Sequence, residues 1–295
     1  MEDRVKDTAT SNIERIAGLS AIAAGYRLLV CDVWGVLHNG VAPYAGAIRA
    51  LTQFRAGGGH VVMVTNAPRR RKSVFAQLAA MGVPDNAYDT VVTSGDVTRT
   101  LIAAGPRKVY HIGPERDLNL FEGLDRELVD AQEAEVIVCS GLVDDTVETP
   151  ADYTEAFGRL QARGLDFICA NPDLVVERGD SLIYCAGALA AEYARLGGRN
   201  RIAGKPYRPI YELAIGEAEN LSGGTIDRSQ ILAIGDGMPT DIKGAADFGI
   251  DALYISAGIH AAEYGPADQP DHEALNAFLA ARGASPVAYM PRLDW

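Results

Sequence analysis

The sequence predicts a doubly wound parallel α/β sheet with helices on both faces, formed by two chain segments around an inserted second domain. Three observations predict it. Short β-rich runs alternate with helical patterns along the chain, polar residues gather where those runs end, and no Pro/Ser-rich linker divides the 295 residues. A second domain in such a chain is an insertion rather than a tail.

Ser11-Asn12-Ile13-Glu14 has capping-box spacing for a short helix over Ile13, Ile16, Leu19 and Ile22. Arg27-Leu28-Leu29-Val30-Cys31-Asp32-Val33 is an almost unbroken apolar run, the pattern of a strand buried on both faces. Ala47 to Arg55 is helical in character and Gly57-Gly58-Gly59 ends it. His60 to Thr65 is a second buried strand, and a basic helix follows from Arg70 to Met81. The middle third repeats this grammar, with strands at Lys108–Ile112, Glu135–Cys139 and Asp166–Ala170 and a helix at Tyr153–Arg163. A strand at Ser181–Cys185 leads into a helix to Leu196. Then come Ile202-Ala203-Gly204, a helix from Pro209 to Leu221, strand Gln230–Gly235, helix Asp241–Phe248, strand Asp251–Ile255 and helix His272–Ala281.

Composition narrows the function classes. With 48% hydrophobic and 22% charged residues the chain is neither disordered nor low in complexity. The longest nearly unbroken apolar run, Leu182 to Ala191, is ten residues against the ~20 that cross a bilayer. Met1 to Asn12 is polar with both charge signs, so neither a signal nor a transit peptide is expected. Cys31, Cys139, Cys169 and Cys185 are scattered with no C-x-x-C pair, which suits reduced thiols in a cytoplasm rather than a zinc site or disulfide framework. Lys plus Arg is 27 against 39 acids, a net −12. That argues against nucleic acid as a partner while leaving room for one phosphate in a local cationic pocket.

The informative residues lie at strand ends, where open α/β sheets bind ligands. Asp32 ends the first strand and Gly35 follows. Thr65-Asn66 ends the second, Gly204-Lys205-Pro206 follows the run Arg201–Ala203, and Gly235-Asp236-Gly237-Met238-Pro239-Thr240-Asp241 ends the strand begun at Gln230. Singly these are ordinary turn residues or solvated charges. Together, at a common sheet edge, they supply a carboxylate, a hydroxyl, a lysine and two more carboxylates, the parts of a Mg²⁺-assisted phosphoryl-transfer site. An aspartate attacking a phosphate dianion needs a divalent cation to offset like-charge repulsion, and Mg²⁺ takes one or two carboxylates plus phosphate and water.

On these residues the sequence resembles the haloacid dehalogenase (HAD) superfamily. More narrowly it is similar to the subfamily with a large cap between the second and third motifs, which includes the NagD-type nucleotide and sugar phosphatases. The motifs are Asp32-Val33-Trp34-Gly35-Val36-Leu37 with Pro43-Tyr44-Ala45-Gly46-Ala47, Val64-Thr65-Asn66, Gly204-Lys205-Pro206, and Gly235 to Ile242 with Gly244. Ala170-Asn171-Pro172-Asp173 and Tyr184-Cys185-Ala186-Gly187-Ala188 resemble cap and cap-exit motifs, and the likeness runs from Tyr26 to Gly258.

The resemblance implies a HAD/Rossmann-like core at 1–84 and 184–295 and an inserted α/β cap at 85–183, a segment too long for a simple crossover. It implies a small phosphorylated metabolite as substrate, Mg²⁺ as cofactor, and a homodimer, since caps in this subfamily often contribute to dimers. By position, Asp32 is the nucleophile that forms an aspartyl-phosphate. Thr65 and Asn66 bind the phosphoryl group or substrate with Trp34 and Gly35, and Lys205 steadies nucleophile and phosphate. Asp236 ligates the metal with Asp32 and the Trp34 backbone carbonyl, and Asp241 either supports the metal shell or pairs with Lys205. Asn171 and Asp173 are expected near the cleft, a simple Asn-Pro-Asp turn being the alternative. Arg69-Arg70-Arg71-Lys72 either raises the potential near a phosphate or forms a solvated first helical turn, where cations oppose the macrodipole.

One position departs from the pattern. Family phosphatases carry a second aspartate two residues after the nucleophile, as general acid and then base; here it is Trp34. Indole has no proton to exchange near neutral pH, and loss of such help costs ~10²–10⁴ in rate. Three readings follow: a substrate with a good leaving group or a borrowed relay through His38, transfer to an acceptor other than water, or a phosphate-binding relative with little turnover. The bland reading of His38, and the one the sequence favours, is a ring packed beside the loop.

Overall fold

The computed structural model describes residues 12–178 and 181–295. The stretch on which the absence of a leader was expected, and Ser11 of the expected capping box, lie largely outside them. In chain order the larger elements are β1 (Leu28–Asp32), α1 (Ala45–Ala56), β2 (His60–Thr65), α2 (Arg71–Ala80), β3 (Thr90–Thr93), α3 (Ser94–Ala103) and β4 (Lys108–Ile112). They continue with β5 (Glu127–Leu128), β6 (Val136–Cys139), α4 (Thr154–Ala162), β7 (Asp166–Cys169), β8 (Val175–Arg178), β9 (Ser181–Tyr184) and α5 (Ala186–Arg195). The last are β10 (Arg199–Ile202), α6 (Arg208–Ser222), β11 (Ile231–Gly235), α7 (Lys243–Phe248), β12 (Asp251–Ile255), α8 (His272–Ala281) and β13 (Ala288–Met290). The larger sheet has the order β13-β12-β11-β1-β2-β3, a second sheet β10-β7-β6-β4-β5, and β8-β9 is a hairpin. The α/β class with parallel, doubly wound sheets is the one the sequence predicts.

The chain packs into two compact units, Met1–Val61 with Ile226–Trp295, and Val62–Thr225. In the first, every residue of β1 and β11 is buried. This explains the unbroken apolar runs: a parallel strand covered on both faces has no solvent side to alternate with. Each fully buried Leu or Ile contributes ~1.5–3 kcal/mol over its exposed state. The register pairs Leu28 with Ile231 and Cys31 with Ile234, so Asp32 comes level with Gly235 and its neighbour Asp236 at the carboxyl edge.

The helix expected over Ile13–Ile22 is not there. Arg15 forms a parallel bridge to Tyr289, and the chain continues in two 3₁₀ turns, Leu19–Ala21 and Ala23–Gly25. Long-range backbone pairing wins over the local pattern. Ile16 N–H donates to the Tyr289 carbonyl at 3.0 Å, Tyr289 N–H to the Glu14 carbonyl at 3.0 Å, and Leu19 N–H to the Asp294 carbonyl at 2.8 Å.

In the second unit β2 pairs with β3, from Val62 opposite Thr90 to Thr65 opposite Thr93. Thr93 caps α3, its hydroxyl accepting from Asp96 N–H at 2.9 Å. The five-stranded sheet is wholly parallel. It packs Phe167 and Cys169 against Phe157 of α4 and Tyr193 of α5, and the Tyr193 hydroxyl is satisfied by the Leu165 carbonyl at 2.6 Å.

Candidate active site

The first unit brings three of the expected carboxylates together. Asp32, Asp236 and Asp241 are all buried, and each offers an oxygen within 4.8 Å of the others. Among the described residues this is a group close enough to hold one metal ion. The local sequence dictates it: β1 ends at Asp32, β11 delivers Asp236 one residue later, and the turn from Gly237 through the π-turn Met238–Ile242 folds Asp241 back. The Asp241 carboxylate accepts from Gly237 N–H at 3.1 Å and from the Thr240 hydroxyl at 3.3 Å, while Asp236 Oδ2 accepts from Ile259 N–H at 2.9 Å.

Glycines leave the space these carboxylates fill. A Cβ at Gly35, whose φ is +79°, would stand 2.3 Å from Asp236 Oδ2, and one at Gly258 2.0 Å from the same atom. A Cβ at Gly235 would stand 2.2 Å from the side chain of Asp241. At an effective dielectric of 20, two ionised carboxylates 4.8 Å apart repel by about 3.5 kcal/mol. A divalent cation removes that repulsion. The donors are all carboxylate oxygens, the hard set that suits Mg²⁺.

Trp34 sits on the loop leaving Asp32. The loop closes on itself: Trp34 bridges to His38, and Gly35 N–H donates to the His38 carbonyl at 2.9 Å. Of the two readings of His38, the structure has the packed ring. It is buried, its Nδ1 accepts from Gly40 N–H at 2.9 Å, and it meets the Trp34 indole edge-on at 5.1 Å between centroids. Burial holds its pKa below the ordinary histidine value.

The other expected site residues belong to the second unit and form a cluster of their own. Thr65, Asn66, Asn171 and Lys205 are buried and Asp173 is half-buried. Asn66 organises them. Its Oδ1 accepts from Lys205 N–H at 2.7 Å, and its Nδ2 donates to Asp173 Oδ1 at 2.9 Å and to the Lys205 carbonyl at 3.3 Å. Asn171 Oδ1 accepts from Asp173 N–H at 3.0 Å, so Asn-Pro-Asp is a turn and also a partner of Asn66. Gly204, at φ +94°, lets the chain pass Asn66 Oδ1, which a Cβ would approach to 2.7 Å.

Two sequence expectations change here. Lys205 follows β10, a strand of the five-stranded sheet, so the four motifs do not end strands of one common sheet. The basic run is also not a purely solvated first turn. Arg71 is partly buried between Asp96 at 3.0 Å and Glu217 at 2.9 Å, and Arg70 pairs with Glu122 at 2.8 Å. These carboxylates offset the macrodipole cost of placing cations at the start of α2. The backbone at Gly258-Ile259, which holds Asp236, was read only as the end of the family likeness. Its signal was a glycine three residues beyond a strand, β12, adjacent to β11.

Comparison with known proteins places this geometry. A family model described as haloacid dehalogenase-like hydrolase matches residues 29–127, and a HAD-hydrolase-like model matches residues 202–281. A solved hydrolase of the haloacid dehalogenase-like family from Brucella suis 1330 is 54% identical, with a TM-score of 0.82 over 95% of this chain and 99% of that one. D-glycerol 3-phosphate phosphatase of Mycobacterium tuberculosis is 29% identical over 83% of this chain and 67% of its own length. Ribonucleotide monophosphatase NagD of Escherichia coli is 25% identical over 78% and 88%.

Proposed function

The chain belongs to the haloacid dehalogenase-like hydrolase family, and from that premise we propose that it is a Mg²⁺-dependent phosphatase of a small phosphorylated metabolite, acting through an aspartyl-phosphate on Asp32. The buried cluster of Asp32, Asp236 and Asp241 carries the proposal. When bound, Mg²⁺ supplies the charge neutralisation that lets a carboxylate approach a phosphate dianion. Asp32 and Asp236 would hold it by their side chains and Trp34 by its backbone carbonyl, and Asp241 would support the shell.

An oxygen of Asp32 forms the new bond to phosphorus as the bond to the ester oxygen breaks, and that oxygen leaves with the electron pair. Water then attacks phosphorus as its bond to the Asp32 oxygen breaks; one proton of the water stays on the inorganic phosphate, the other passes to solvent, and the carboxylate is restored. Thr65, with Asn66, Gly35 and Lys205, holds the phosphoryl oxygens as charge redistributes. Asn171 and Asp173 contribute to substrate choice. The domain assignment, a cap at 85–183 and a core at 1–84 with 184–295, belongs to the same proposal, although β3 and β10 each pair across those limits.

The name of the Escherichia coli relative supports a NagD-like placement and the nucleotide class, that of the Staphylococcus aureus acid sugar phosphatase, 24% identical, supports the sugar phosphate class, and that of the mycobacterial relative supports a small phosphorylated metabolite. Four buried cysteines without a disulfide support a reducing, cytoplasmic setting. Among the described residues no helix is long and apolar enough to cross a membrane.

Phosphate release from p-nitrophenyl phosphate tests the reading. It is expected to require Mg²⁺, to stop with a chelator and to be abolished in Asp32→Asn. Binding of a dinucleotide indifferent to Asp32→Asn, with no release, overturns it. Trp34 at the general acid position favours a second reading: a phosphate-binding, catalytically impaired relative or a phosphotransferase. Saturable beryllofluoride binding without turnover marks the first of these, and phosphoryl transfer to an added alcohol the second.

A further inference from the structure

We propose that the indole of Trp34 is a stacking platform for the leaving group, and that the preferred substrates are phosphate esters of aromatic hydroxyls rather than of aliphatic alcohols. The inference rests on the hydrolase reading above, but in place of the sugar phosphate or nucleotide class, whose leaving groups are aliphatic alcohols, it assigns aryl esters. Two independent observations converge on it.

The first is geometric. Trp34 is 50% exposed although it stands two residues from the buried Asp32. Its ring is not loose. It meets His38 edge-on with the planes at 72°, and its six-membered ring rests on Gly40, where a Cβ would fall 2.2 Å from Cη2. Gly40 is held in turn at φ +87° with its N–H on His38 Nδ1. An exposed aromatic fixed in advance loses little freedom when a second ring stacks on it. The platform also starts beside the chemistry. The Cα of Trp34 is one peptide, about 3.8 Å, from that of Gly35, and a Cβ on Gly35 would collide with Asp236 Oδ2.

The second is chemical. Indole donates no proton near neutral pH, so the ester oxygen departs bearing the electron pair and takes its proton from solvent afterwards. An aryloxide carries that charge into its ring, whereas an alkoxide does not. The residue that withholds the acid therefore also offers an apolar ring against which the aromatic ring of the bound ester packs, offset or edge to face.

The test compares phenyl phosphate with n-butyl phosphate in wild type, Trp34→Phe and Trp34→Ala. The aryl-over-alkyl ratio of kcat/KM is expected to fall roughly three- to tenfold in Trp34→Ala, mainly through KM, and to be kept in Trp34→Phe. A separate arm uses the second tryptophan of the chain, Trp295. In an Asp32→Asn, Trp295→Phe background Trp34 is the sole indole. Phenyl phosphate is expected to change its fluorescence saturably and inorganic phosphate is not. An unchanged ratio in Trp34→Ala, or an equal response to inorganic phosphate, overturns the inference. If wild type releases phosphate from no ester, the hydrolase reading fails instead, and the fluorescence arm still decides the stacking.

Discussion

Asp32 and Trp34 stand two residues apart and divide the chemistry between what the site holds and what it lacks. On the proposed function, Trp34→Asp supplies a carboxylic acid as proton donor two residues after the nucleophile. With general acid help worth ~10²–10⁴, turnover on n-butyl phosphate is expected to rise at least about a hundredfold, read as kcat under saturating Mg²⁺. No gain means that the reaction needs the volume of the indole. A different residue contributes to stability against pH. His111, at the end of β4, is held by burial at a pKa of about 4 and bonds Ser140 Oγ at 3.0 Å. The unfolded chain takes up the proton near 6.5 and the folded one only near 4. Stability is therefore full above the unfolded value and falls as pH drops through that window. Asp117, raised by burial, contributes in the opposite sense, so the difference between wild type and His111→Gln isolates the histidine. The variant is expected to lose less melting temperature, by several degrees, between pH 7 and pH 4.5.

Elements differed in how plainly the sequence announced them, and burial explains the difference. β1, β2, β11 and β12 are covered on both faces or nearly so, which writes them as apolar runs readable without context. β10, Arg-Asn-Arg-Ile, alternates with solvent at a sheet edge, and β5 is two exposed residues; neither carries such a run. β13 is three residues long and is recognisable only beside β12. The N-terminal helix failed for the converse reason, a good local pattern yielding to bonds from Tyr289 and Asp294. The carboxylates were legible because Asp32 ends a readable strand and Asp236 and Asp241 lie in the turn that follows another. The turn beyond β12 was not, since its contribution is a backbone N–H. Gly258→Ala tests that turn: the new methyl displaces Asp236, so Mg²⁺ affinity by titration calorimetry is expected to fall at least about tenfold. Overpacking is expected to cost about 1–3 kcal/mol in denaturant unfolding. Unaltered affinity would show that Asp236 needs no support from this side.

For the molecule as a whole, the acidic balance and the buried triad act on the same variable. The chain carries a net −12, and three of its carboxylates are buried within 4.8 Å of one another. Without a cation their mutual repulsion is a direct charge against the folded state; in the unfolded chain they separate and the repulsion vanishes. Mg²⁺ should therefore stabilise more than an exposed acidic surface would allow, following RT ln(1 + [L]/Kd), or about 2.7 kcal/mol at a hundredfold excess over Kd. Asp32→Asn removes one of the three charges while keeping nearly the same shape. Two opposed shifts are expected in thermal melts: the variant melts higher than wild type in chelator, and it gains less from saturating Mg²⁺. Both arms are needed, because a variant that melted higher and kept the full Mg²⁺ gain would place the ion elsewhere, and one that melted lower in chelator would mean that Asp32 stabilises the fold through its hydrogen bonds more than it strains it through its charge.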